Sequence, residues 1–180
     1  RRTAAFPRRG TWALFFVSIG VAFMLVEISQ MQRLILFLGH PLYSLSVVLC
    51  SFLLFGGLGS WASHRITQSS TRRASVWLAV LVGVVAAYGA VTPAVIGAFY
   101  AAETPARLAI AITLLAPISF ALGWAFPIGM TRASRTVPAA TPWLWGLNSA
   151  ASVLASVLAV VLALTWGISA TFWIGWGCYV

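Results

Sequence analysis

The chain has 180 residues, of which 61% are hydrophobic and only 7% charged, and it carries a formal net charge of +9. That balance lies well outside the composition of a soluble globular domain. The positive charge does not mark a nucleic-acid binder either. All eleven basic residues are arginines, and they fall in small groups between apolar stretches instead of along one polar face.

In chain order, the apolar stretches predict six helical spans: 11–38, 41–63, 75–99, 105–131, 142–166, and a last one starting at 168 and truncated at 180. No charged residue interrupts 74–102, and none occurs from 136 to 180. About 20 apolar residues cross a bilayer, so these lengths predict transmembrane helices. Pro41, Pro105 and Pro142 each open a span, where a missing N–H costs little. Gly39-His40-Pro41 and Trp166-Gly167-Ile168 leave so few linking residues that each flanking pair must be an antiparallel hairpin. Pro93, Pro117 and Pro127 lie inside spans or near their ends and are expected to kink them. The fold class expected is an all-α integral membrane protein. It is a single domain over 1–180, a bundle of about six transmembrane helices built from antiparallel hairpins.

Orientation follows from the arginines. Arg1, Arg2, Arg8 and Arg9 precede the first span, Arg65, Arg72 and Arg73 follow the second, and Arg132 and Arg135 follow the fourth. An even number of crossings separates these groups, so they share one side, expected to be the cytoplasmic face of an inner membrane. His40, Glu103 and Arg107 fall on the other side, with Arg33 near the end of the first span. Cys50 and Cys178 both lie in apolar stretches and are expected to be free thiols. The chain starts at Arg1 without Met and stops at Val180 within an apolar run, as a piece of a longer polypeptide would.

Small residues point to helix contacts, because small side chains and interhelical hydrogen bonds replace the hydrophobic force between helices in lipid. Gly56 and Gly59 on the second span are candidate packing positions. So are Ser152, Ala155, Ser156 and Ala159 on the fifth, with Asn148 and Ala163 on the same stripe.

One polar group stands apart. Glu27 is one of only two acidic residues, and it lies deep in the first span. A carboxyl at that depth costs at least a few kcal/mol to insert and is usually paired. Gln30 is one turn on and is expected to hydrogen-bond it. Arg33 can snorkel or meet a neighbouring helix, and His40 sits in the tight turn. Glu27, Gln30, Arg33 and His40 therefore form either a polar site or a satisfied cluster that locks the first two helices together. His64 is at the opposite end, so a metal site is not expected, and neither is any other cofactor.

Phe23-Met24-Leu25-Val26-Glu27, Gln32-Arg33, Leu38-Gly39-His40-Pro41, Tyr43-Ser44-Leu45 and Gly57-Leu58-Gly59-Ser60 resemble the C-terminal membrane region of spermidine synthase-like fused membrane proteins. Trp145-Gly146-Leu147-Asn148-Ser149-Ala150, Ser152-Val153-Leu154 and Gly167-Ile168-Ser169 are similar to the same region. The resemblance implies a multi-helix membrane domain that is normally joined to a Rossmann-type aminopropyltransferase-like domain. These 180 residues hold no counterpart of that soluble domain: no glycine-rich loop follows a strand, and no acidic pair could hold a polyamine amine. No catalytic residue is expected, because no base–nucleophile pair can be named. The expectation is thus a non-catalytic membrane module in the lipid bilayer, an anchor or scaffold for other membrane subunits or a soluble partner domain. The alternative is a transporter or lipid- or polyamine-handling module with its site around Glu27 and His40.

Overall fold

Helices dominate because a backbone in lipid has no water to satisfy its N–H and C=O groups. The computed structural model describes residues 6–67 and 71–180, and side chains within 9–63 and 74–180. The helices are α1 (Phe6–Leu38), α2 (Pro41–Thr67), α3 (Thr71–Ala98), α4 (Thr104–Leu122), α5 (Ala125–Thr136), α6 (Thr141–Trp166) and α7 (Ile168–Gly177), with a 3-10 turn at Pro138–Ala140. No strand occurs among the described residues. Five segments are long and apolar enough to cross a membrane: Arg9–Leu38, Pro41–Ser63, Ala74–Ala98, Thr104–Thr136 and Pro138–Trp166. The chain is therefore an all-α, multi-pass membrane-type bundle. The sixth predicted span is α7, whose 10 residues cover about 15 Å.

Two hairpin turns rest on glycine. Gly39 has φ +73° and Gly167 φ +91°, a region that side chains with a Cβ rarely enter. These turns and the 99–103 loop define one end of the bundle, called here the turn end. Arg9, Arg132 and Arg135 mark the other, the arginine end. The side chains of Arg1, Arg2, Arg8, Arg65, Arg72, Arg73 and His64 lie outside the described ones.

The span expected at 105–131 is not one continuous helix. It breaks at Gly123-Trp124, between α4 and α5. Pro127 explains the position: it has no N–H to give the Gly123 carbonyl four residues back, and its ring crowds that carbonyl. The Trp124 N–H turns to Ala121 O at 3.0 Å, tightening the last turn of α4. Pro93 and Pro117, by contrast, lie within α3 and α4 as continuous helices.

α1 is the hub, packing against α2, α4, α5, α6 and α7. Its Gly20 faces α6, where a Cβ would come 2.8 Å from Asn148 O and 2.9 Å from Ser152 Oγ. Ala155 and Ala159 of α6 are buried, while Ser152, Ser156 and Ala163 are partly buried. The opposite face of α6 is bare: Leu154 is 73% exposed and Leu164 82%, as lipid-facing side chains are. α2 and α4 touch backbone to backbone. A Cβ at Gly59 would fall on the Phe120 carbonyl, and one at Gly123 on the Gly56 carbonyl.

Candidate functional site

The four polar residues of the first hairpin turn in different directions. Gln30 is fully buried. Its Oε1 accepts the Tyr88 hydroxyl of α3 at 3.1 Å, and its Nε2 donates to Ser29 Oγ at 3.3 Å. The Ser29 hydroxyl in turn donates to Val26 O at 2.7 Å. On α3, Thr92 donates to Tyr88 O at 2.6 Å. This chain of bonds locks α1 to α3.

Arg33 reaches α7. Its Nη2 donates to Ser169 Oγ at 3.2 Å, and its guanidinium lies 5.8 Å over the Phe172 ring. Nη1 is buried and has no hydrogen-bond partner. Phe172 is itself fully buried and rests on Gly89, where any Cβ would collide with its ring. Trp176 completes the α7–α3 contact by donating Nε1–H to Val82 O at 3.0 Å.

His40 is exposed at the turn end. Its Nδ1 accepts the Leu42 N–H at 3.3 Å and so caps the start of α2. Ser44, one turn on, donates to Met31 O at 3.0 Å and ties α2 to α1. Arg107, a residue not singled out from the sequence as a site, clamps the same end: Nη1 donates to Phe37 O at 3.1 Å and Nε to Ala102 O at 2.7 Å. Those carbonyls near the end of α1 and in the 99–103 loop lack full helical partners.

Glu27 is 9% exposed and faces inward, but the bond expected from Gln30 does not form. Among the described residues no hydrogen bond or ion pair reaches its carboxyl. The reason is competition: both polar atoms of Gln30 are taken, by Tyr88 and by Ser29. By helical register Glu27 lies about 20° from Gly20 around the axis of α1.

At the break between α4 and α5 lies a cavity of about 490 Å³. Phe23, Phe52 and Phe126 supply its aromatic walls, Gly57 and Gly123 leave it room, and Asn148 and Ser152 give it a polar rim. Glu27 does not line it. Seven residues separate Gly20 from Glu27, about 10 Å of helix, so the carboxyl sits above the cavity toward the turn end. Among the described residues no three His, Cys, Asp or Glu side chains converge as metal ligands would.

Tyr88, Ser169 and Arg107 were the functional polar partners that sequence reasoning missed. Tyr88 gave a signal, as a hydroxyl within an uncharged apolar span. Ser169 gave none beyond its place after a turn glycine. Set against known proteins, the chain matches no protein family, no curated protein and no solved structure.

Proposed function

We propose that this chain is a non-catalytic membrane module, the anchor or interaction subunit of a larger membrane assembly or of a soluble domain fused to it. The observation that supports this reading is where the hairpin's polar groups go. Gln30 bonds Tyr88 and Arg33 bonds Ser169, each across two helices, while His40 caps the start of α2, so two of the four hold helices together and the three do not converge on one site. In lipid such bonds substitute for the missing hydrophobic force between helices. The resemblance to the membrane region of spermidine synthase-like fused proteins agrees with an anchoring role. The arginine asymmetry favours an inner membrane with the N-terminus in the cytoplasm.

Chemical cross-linking and mass spectrometry of the tagged full-length protein in native membranes tests the reading. Cross-links to a defined protein partner are expected, and turnover by the purified chain alone would overturn it. Thiol labelling of His40→Cys and Ser134→Cys in a background lacking Cys50 and Cys178 tests the topology. Impermeant reagent should reach His40→Cys from outside intact cells and Ser134→Cys only after lysis. Labelling of both from outside would reverse that conclusion.

A further inference from the structure

We propose that the crevice where α1 and α6 begin, at the arginine end, binds the phosphate headgroup of an anionic membrane phospholipid. The inference does not rest on the anchoring role above. The crevice has a volume of about 480 Å³ and is lined by Arg9, Gly10, Ala139, Ala140 and Trp143. Arg9 and Gly10 open the first membrane-length segment, and Ala139, Ala140 and Trp143 fall at the start of the fifth, so the crevice lies where lipid headgroups meet hydrocarbon. Trp143 is 57% exposed there, at the level where an indole ring suits the bilayer interface.

Charge complementarity identifies the headgroup. The side chains of Arg9 and Trp143 carry donors and no acceptor. Among the described residues neither the Arg9 guanidinium nor the Trp143 indole N–H has a hydrogen-bond or ion-pair partner. No acidic side chain of this chain can supply one. There are only two, Glu27, about 27 Å further along α1, and Glu103, which precedes α4 at the turn end. A crevice with free donors, a fixed positive charge and no counter-charge selects a ligand that is negative and rich in acceptors. At the membrane surface that ligand is a lipid phosphate. A guanidinium meets it through paired N–H donors, and the indole N–H adds a further one. An arginine near the surface favours an anionic over a zwitterionic lipid by about fivefold.

The test uses the full chain, purified in detergent, stripped of lipid and titrated under native mass spectrometry with phosphatidylglycerol, phosphatidylcholine or inorganic phosphate. The first lipid bound should be phosphatidylglycerol in clear preference to phosphatidylcholine, and inorganic phosphate should not displace it. Arg9→Gln should cut that preference about fivefold. Gly10→Leu should abolish this binding, since a side chain at Gly10 enters open space in the crevice and meets no atom of the fold within 4 Å. Phosphatidylglycerol with a photoreactive headgroup gives a readout that needs no variant: cross-links should concentrate on the peptides bearing Gly10 and Trp143. Equal binding of the two lipids by the parent chain, an unchanged preference in Arg9→Gln, undiminished binding by Gly10→Leu in a protein that melts normally, displacement by inorganic phosphate, or cross-links absent from both peptides would each overturn the proposal.

Discussion

The two ends of the bundle solve the same problem by opposite means. At the turn end, α1, α3, α4 and α7 are joined by directional bonds: Tyr88 to Gln30, Arg33 to Ser169, Arg107 to Phe37 O. Toward the arginine end, backbone-to-backbone contact at glycine is the main device. Gly20, Gly59 and Gly123 let backbones meet, and the break after Gly123 leaves a cavity where the helices diverge. A polar side chain fixes a distance and an orientation between two helices, whereas a glycine only removes an obstacle. Both regions keep some space, about 290 Å³ beside Tyr88 and Thr92 and about 490 Å³ at the helix break.

The comparison breaks most visibly at Gly59. Its replacement by leucine puts a side chain onto the Phe120 carbonyl, a backbone atom that cannot move aside alone. A loss of about 3 kcal/mol is expected, with the bundle melting or dissociating in detergent. Gly57→Ala, two residues earlier and facing open space, should melt like the parent chain. If both variants behave alike, the α2–α4 contact is not the close seam described.

At the turn end the effects should be smaller and graded. Gln30→Leu strands the buried Tyr88 hydroxyl and should cost about 2 kcal/mol in thermal or denaturant unfolding. Arg107→Met keeps much of the aliphatic stem but loses the bonds to Phe37 O and Ala102 O, and about 1 kcal/mol is expected. Glu27→Leu should be the mildest. Because no donor reaches the carboxyl, removing it strands nothing, and stability should stay level or rise. A marked loss with Glu27→Leu would mean that Glu27 has a partner in the folded protein.

Much of this architecture is written locally in the sequence. Apolar length announces the spans, and Gly39-His40-Pro41 and Gly167 announce the turns. Helix limits were less legible, because hydropathy marks where lipid begins and not where hydrogen bonding ends: α1 starts at Phe6 and α2 runs to Thr67, beyond the apolar windows. The break at Gly123-Trp124 lay hidden because both residues are apolar enough to continue a span. Only Pro127, four residues on, carried the signal. The polar cluster was half legible. Composition singled out Glu27, Gln30, Arg33 and His40, but their partners depend on which helices adjoin. Gln30 meets Tyr88 across 58 residues and Arg33 meets Ser169 across 136, separations that no local pattern encodes.

The central claim is that the hairpin's polar groups act as interhelical locks, and a double-mutant cycle on Gln30→Leu and Tyr88→Phe tests it most directly. Unfolding free energies of the parent, the two single variants and the double variant isolate the pairwise term. Interhelical hydrogen bonds in membrane proteins couple by about 0.6 kcal/mol on average and up to about 1.7. A favourable coupling within that range is predicted for this buried pair. A coupling indistinguishable from zero, with the two single effects simply adding, would contradict the account.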